Sequence, residues 1–462
     1  MTHRPWVLLT MLTALALSPA VLRAQDGTAY EAKPVLPKLE LQDGDSIVFL
    51  GDSITHQRLY TQYVEDYFYT RYPHMRLKLH NAGVGGAKAW DALERFDDDV
   101  AAYNPKYVTI LLGMNDGRYQ PFNQEIWDTY RTDMTKLLER LDGIGAKPIP
   151  MTPTMFDARA ARLFPRKGRD GDNVALYNSV LTYYGTWLRE VAVERGDGFV
   201  DMWGPLNNIT LEQRKQDPAF TMIKDAVHPG PDGQLVMATA IINDLGLSRQ
   251  VSAIRLTKRG NKWSGNGAGG ELTDIEETPD GIAFTFHATA LPWVVPEEAA
   301  KGVELTKLGH RLSKELLEIH GLPMGQYVLT IDGQEVGKFG SEALSRHIEL
   351  QGNSKTPQYQ QAMQVALKNK ERNEGPIGGL RGEWGRFQGY ARIRQAAKDN
   401  PNDENLKKQL AEQEQRNEGM AERVAAHNAA AKALEDQIFE MNQPHALRYV
   451  LKRVQQPLLQ QK

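Results

Sequence analysis

Between Ser46 and Gly246 the chain alternates short apolar and β-branched runs with longer amphipathic stretches, the pattern of repeated βα units laid on a parallel sheet. The spacing predicts strands at Ile47–Leu50, Leu77–His80, Tyr107–Leu112, Pro148–Met151 and Phe199–Asp201. Between them it predicts helices near Arg58–Arg71, Ala89–Tyr103, Gln124–Leu141 and Asn173–Glu194, with a last helix from about Gly233 to Leu245 stopped by Gly246. Helical crossovers between all five strands make them parallel, so this part is expected to be an α/β, three-layer αβα sandwich over residues 40–250.

After Leu247 the pattern changes. Residues 251–352 are richer in Thr, Gly and β-branched positions, and Asp332-Gly333 joins two alternating runs from Gln326 to Phe339 as a hairpin. A small β-rich accessory region is expected there. Residues 353–462 are rich in Ala, Gln, Glu, Lys and Arg, with apolar Met420, Val424, Leu434 and Ile438 and a break at Asn400-Pro401-Asn402. They are expected to form a helical region, read first as a solvated surface and second as a face for a partner or another copy.

The first 24 residues read as a signal peptide: Arg4, an apolar run from Trp6 to Leu17, then a cut after Ala20 or Ala24. That run is shorter than the roughly 20 residues needed to span a bilayer, so a secreted or periplasmic protein without stable membrane insertion is expected. The chain of 462 residues has no cysteine, which excludes disulfides, metal thiolates and a cysteine nucleophile. A formal charge of −3 gives no basic footprint for nucleic acid and says nothing about the substrate. Oligomeric state is not legible.

Four stretches, each where a predicted strand ends or a helix is about to begin, carry chemistry: Gly51-Asp52-Ser53, Asn81 to Gly86, Gly113-Met114-Asn115-Asp116 and Asp225-Ala226-Val227-His228. Open α/β sheets gather their catalytic loops at these ends. A serine hydroxyl needs a base to become a nucleophile, and the base needs an acid to fix its tautomer. Ser53 follows the first strand, and one loop before the last helix supplies both Asp225 and His228, in the chain order Ser, Asp, His known for a triad. A tetrahedral intermediate also needs preorganised donors, for which the backbone N–H of Ser53, that of Gly86 and the side-chain amide of Asn115 are candidates. Taken alone, Asp52 and Ser53 are equally a helix cap; the four stretches together favour the catalytic reading.

At these residues the sequence resembles the SGNH hydrolase superfamily of GDSL esterases and lipases. The resemblance assigns Ser53 as nucleophile, Gly86 and Asn115 as oxyanion donors, His228 as base and Asp225 as its acid. It covers about Asp45 to Gly246 and implies a five-stranded parallel sheet in flavodoxin-like order. Ile54 stands where the eponymous motif has Leu, and Ala87-Lys88 replace the usual Asp-Thr after the oxyanion glycine, which leaves Gly85 open beside Gly86. It also implies that neither a metal nor an organic cofactor is needed.

The expected function is therefore a secreted serine esterase working through an acyl-enzyme, with O-deacetylation of a carbohydrate as the favoured reaction. A lipase, thioesterase or lysophospholipase of the same superfamily is the alternative, and a non-catalytic glycan-binding protein on the same fold the third reading. The long connection Thr154–Asp172 is expected to overhang the site, with Phe156 and Arg159, together with Trp90, as candidate substrate contacts.

Overall fold

A computed structural model describes residues 35–454 except Asp170 and Asn173, so the expected signal peptide lies outside the described residues. The amino-terminal part is built on strands β1 (Ser46–Gly51), β2 (Lys78–Gly83), β3 (Tyr107–Leu111) and β4 (Lys147–Pro150), all parallel in the order β2-β1-β3-β4. Every residue of β1 and β3 is buried, as expected of strands covered on both faces by crossover helices. The expected fifth strand is not formed. Residues 198–200 do run beside β4, with bonds from Gly198 N–H to Pro148 O, Val200 N–H to Pro150 O and Thr152 N–H to Val200 O, but they pair only as a parallel bridge between Met151 and Val200 and not as a strand.

Helices Leu59–Arg71, Gln124–Gly143, Tyr177–Arg195 and Pro231–Asp244 match the predicted crossovers within a few residues. The stretch read as one helix over 89–103 is instead broken into Ala89–Glu94, Phe96–Asp99 and a short turn at Ala101–Tyr103. Arg95 leaves helical geometry at the first break, and its fully buried guanidinium turns inward to Asp99 and to the carbonyl of Gly51.

Beyond Leu247 the chain forms β5 (Gln250–Arg259), β6 (Lys262–Ala268), β7 (Gly270–Thr278), β8 (Gly281–Ala288), β9 (Lys314–His320), β10 (Gln326–Ile331), β11 (Gln334–Gly340), β12 (Ile348–Glu349) and β13 (Ala446–Arg453). They make two sheets, β12-β9-β5-β6 and β11-β10-β13-β8-β7, which share a core including Leu256, Phe284, Leu317, Tyr327, Leu329, Tyr449 and Leu451. The predicted hairpin is present, with Asp332 and Gly333 both at positive φ as a tight hairpin turn requires. The stretch read as helical to the carboxyl end returns instead as β13, inserted between β10 and β8. Leu447, Tyr449 and Leu451 alternate along it, and the last two are buried in the shared core.

The intervening helices Pro357–Arg372, Gly378–Asp399, Glu404–Asn417 and Met420–Met441 are not a uniformly solvated surface. Glu404–Asn417 buries no residue, whereas Gly378–Asp399 buries Leu380, Arg381, Trp384, Gln388 and Ala391 along one stripe. Leu380, Trp384, Val365 and Ile438 join the core of the α/β part.

At the seam between these parts Glu315, at the start of β9, is buried, with one carboxylate oxygen 3.5 Å from Gln358 Nε2 and the other without a partner among the described residues. Burial pushes its carboxyl up to about 7, against which Gln358 and the charge of Arg71 act weakly. The folded state holds this proton more tightly than the unfolded state, so its contribution to stability is greatest below pH 4.5 and is lost as pH rises through 7. Glu315→Gln keeps the group neutral at every pH. The variant is expected to gain about 2 kcal/mol over the parent on going from pH 5 to pH 8, read from paired urea titrations. An equal difference at both pH values would show that Glu315 is already ionised in the folded protein.

Candidate active site

Strand β1 ends at Gly51, and a short helix, Ser53–His56, starts at once. Asp52 caps it through a 2.9 Å bond from Ile54 N–H, which leaves Ser53 at the first position with its hydroxyl directed to the sheet edge. Close approach requires glycine at the end of the neighbouring strand. A Cβ on Gly83 would lie 2.3 Å from the backbone nitrogen of His56. Asn81 locks the same contact, donating to Thr55 O at 2.8 Å and accepting from Gly83 N–H at 2.9 Å.

His228 reaches this edge from the loop before the Pro231–Asp244 helix. Its Nε2 lies 2.7 Å from Ser53 Oγ and its Nδ1 lies 2.7 Å from Asp225 Oδ2. A carboxylate only accepts, so Nδ1 carries the proton and donates to Asp225, and Nε2 accepts from the Ser53 hydroxyl. Ala226, between acid and base, sits at φ +70°, uncommon for a residue with a Cβ. That turn lets Asp225 Oδ1 accept from the N–H groups of Val227 at 3.1 Å and His228 at 2.7 Å.

Three carboxyls crowd the site, and their environments separate them. Burial pushes Asp52 up to about 7, against the bond from Ile54 N–H and the charge of His228. Burial likewise pushes Asp116 up to about 7, against bonds from the N–H groups of Ala89 and Gly113. Partial burial also acts to raise Asp225, but the hydrogen bonds and charge of His228 outweigh it and hold its carboxyl below the usual range. Asp225 is thus the ionised partner of the imidazole, while Asp52 and Asp116 serve as buried acceptors for the backbone.

Asn115 stands beside Ser53 with its amide nitrogen 3.1 Å from Ala87 O and 3.4 Å from Asp52 Oδ2, and its Oδ1 accepts from Tyr119 Oη at 3.0 Å. The segment Val84–Ala87 is a turn closed by Ala87 N–H to Val84 O at 3.1 Å, with Gly86 at φ +68° in its third position. Among the described residues neither Gly86 N–H nor Ser53 N–H has a hydrogen-bond acceptor. The arrangement offers a hydroxyl with a base on it and an acid behind the base.

Of the expected substrate contacts, Phe156 is buried with its ring edge-on to Tyr119 and Tyr177, so it backs the site and does not face it. Arg159 is exposed on the short helix Ala158–Leu163 and makes no hydrogen bond with another described residue. Trp90 lines a cavity of about 230 Å³ with Lys88, Asp116, Arg118 and Asp133, to which no triad residue contributes. The connection after β4 does overlook the site. Arg166 approaches Asp225 Oδ2 at 3.4 Å, and the guanidinium of Arg169 stacks 4.5 Å over the Tyr119 ring. Sequence reasoning passed over Tyr119 and Asp116, although Asp116 belongs to the same Gly-Met-Asn-Asp run. It also passed over two residues of the carboxyl-terminal helix, Gln388 and Arg392, which reach the Gly85-Gly86 turn.

Residues 49–236 match the model of the GDSL-like lipase/acylhydrolase family. An acetylxylan esterase of Geobacillus stearothermophilus is 25% identical over 229 residues, 45% of this chain and 97% of that protein. Among solved structures, a gut microbial diltiazem-metabolizing enzyme aligns over 91% of this chain and 100% of its own, with a TM-score of 0.76 and 26% identity. The carboxyl-terminal regions are therefore part of an architecture found in another protein. Family match, relatives and the four ordered blocks agree that residues 49–236 form a domain of the GDSL-like, SGNH hydrolase type and that the protein is a carboxylic ester hydrolase.

Proposed function

We propose that the chain hydrolyses esters through an acyl-enzyme on Ser53 and that its substrate is an O-acetylated carbohydrate. Ser53 Oγ attacks the carbonyl carbon while its proton passes to His228 Nε2, and the Asp225 carboxylate stabilises the resulting imidazolium. Collapse of the intermediate breaks the ester C–O bond, and His228 returns the proton to the leaving alcohol. Water, deprotonated by His228, then releases the acid from Ser53. The N–H groups of Ser53 and Gly86 and the amide of Asn115 hold the oxyanion, with Gly86 preferred to Gly85 for its left-handed place in the turn. None of these steps needs a metal or cofactor.

The observation that carries the reading is the relay of two 2.7 Å contacts, from Ser53 to His228 and from His228 to Asp225. The carbohydrate part rests on the relative named an acetylxylan esterase and on the polar rim given by Tyr119, Arg166 and Arg169. Export by the amino-terminal segment belongs to the same proposal.

The test is acetate release from p-nitrophenyl acetate, longer acyl esters and acetylated polysaccharides, with Ser53→Ala in parallel. Ser53-dependent acetate release from a polysaccharide supports the full reading. Turnover confined to long acyl chains would keep the mechanism and remove the carbohydrate. Asn115→Ala is expected to lower kcat by about 10²–10³ with KM little changed, since its amide acts on charge that develops only after attack. A rise in KM at constant kcat would instead make Asn115 a ground-state contact.

A further inference from the structure

The turn that carries the proposed oxyanion glycine is held from outside the catalytic part of the chain. Gln388 and Arg392 lie one helical turn apart on Gly378–Asp399 and reach consecutive carbonyls. Gln388 Nε2 donates to Gly85 O at 2.9 Å, and Arg392 Nη2 donates to Gly86 O at 2.7 Å. Arg392 also grips Asp91 through Nε and Nη2, both at 2.7 Å, and Asp91 in turn accepts from Lys88 N–H at 2.8 Å.

A trans peptide is planar, and its C=O and N–H point in opposite directions. The carbonyl of Gly85 and the N–H of Gly86 belong to one such unit. A donor fixed on Gly85 O therefore aims Gly86 N–H the other way and, by polarising the amide, strengthens it as a donor. The bond from Arg392 pins the next peptide, so both units flanking Gly86 are anchored by their carbonyls. The ends of the turn are held by the bonds of Val84 and Ala87, but at its two central residues added Cβ atoms on Gly85 and Gly86 would meet nothing within 4 Å, so there the hold comes from these two carbonyl bonds. Gln388 is itself 5% exposed, and among the described residues its Oε1 has no partner and its one side-chain hydrogen bond is the one it gives to Gly85. Arg392 spends a two-pronged contact on a buried carboxylate to place the remaining bond on Gly86.

We propose that Gln388 and Arg392 are positioning residues that preorganise the oxyanion donor of Gly86. The inference rests on the acyl-enzyme reading above, and it makes the carboxyl-terminal helix a working part of the esterase.

The test compares Gln388→Met, Gln388→Glu, Arg392→Lys and the double variant Gln388→Met/Arg392→Lys in the full chain, with Ser53→Ala alongside. Arg394→Ala serves as control on the same helix, since exposed Arg394 pairs with half-buried Glu94. Gln388→Met keeps length and burial while removing the donor. It is expected to lower kcat on p-nitrophenyl acetate about 10-fold with KM changed less than about twofold, and the double variant about 10²-fold. Gln388→Glu, which sets a carboxylate against Gly85 O, should be worse than Gln388→Met. A readout that packing alone would not move is the rate at which an organophosphate, diethyl p-nitrophenyl phosphate, inactivates Ser53, because that adduct also develops a phosphoryl oxyanion. The rate should fall in step with kcat/KM, while Arg394→Ala stays at the parent value. Parent-like kcat in Gln388→Met and the double variant, with Ser53→Ala inactive, overturns this inference alone. So does a lowered kcat with unchanged organophosphate inactivation, which would mean a structural role. Activity surviving in Ser53→Ala removes the reading beneath it.

Discussion

Ser53→Ala and His228→Ala are each expected to lower kcat for ester hydrolysis by about 10⁵–10⁶, the scale seen when a triad loses its nucleophile or its base. The two losses should not add, because the 2.7 Å contact makes hydroxyl and imidazole one proton-transfer unit. Asp225→Asn should cost less than either, since its carboxamide can still meet Nδ1 but no longer stabilises the imidazolium and can select the wrong tautomer. Asp225 is held below the usual carboxylate range, so acid loss of activity above about pH 4 cannot come from protonating it and must come from another group. Initial rates of p-nitrophenyl acetate hydrolysis, with a limit set by the uncatalysed reaction, are the measurement. Residual turnover above about 1% in Ser53→Ala would mean that a different nucleophile is in use.

The candidate site was legible because each component is a short local run. Gly51-Asp52-Ser53 and Asn81–Gly86 lie at the ends of β1 and β2, and Asp225–His228 stands just before the helix Pro231–Asp244, so the fold brings the three runs together. Supports that cross the chain were not legible. Gln388 meets Gly85 across 303 positions and Arg381 meets Asp99 across 282, and within an Ala-, Arg- and Gln-rich helix neither differs from a solvated neighbour. Phe156 shows the same limit in reverse: an aromatic in a long connection looks available for substrate, whereas its ring packs under Tyr119. The strand at Ala446–Arg453 was visible as alternation of Leu447, Tyr449 and Leu451, but the helical composition before it obscured the change. The expected fifth strand is present only as a bridge at Val200, bonded to the end of β4.

Arg381→Met is expected to destabilise the protein by about 2–3 kcal/mol, the cost of removing charge-assisted hydrogen bonds from a buried carboxylate that keeps Arg95 as its remaining cation. Arg381 and Asp99 are fully buried, and their two hydrogen bonds of 2.9 and 2.7 Å form a bidentate pair. Burial acts to raise the Asp99 carboxyl, but the charge and hydrogen bonds of Arg381, with those of His80 and Arg95, hold it well below the usual range. Removing Arg381 leaves His80 at 3.1 Å and Arg95 at 2.6 Å on the same carboxylate. His80 is pulled down to about 4 by its own burial and is neutral at pH 7, so Arg95 becomes the only cation there. Arg95 also donates to Gly51 O, two residues before Ser53. The network thus ties the carboxyl-terminal helix to the nucleophile strand, as Gln388 and Arg392 tie it to the oxyanion turn. Urea titration followed by both circular dichroism and ester turnover separates the two roles. Arg381→Met should shift the midpoint by either probe while kcat without urea falls less than in Gln388→Met/Arg392→Lys. Asp99→Asn added to Arg381→Met leaves the buried Arg95 without its carboxylate and should destabilise the protein further. A double variant as stable as Arg381→Met would show that packing of the helix, and not the buried ions, sets the cost.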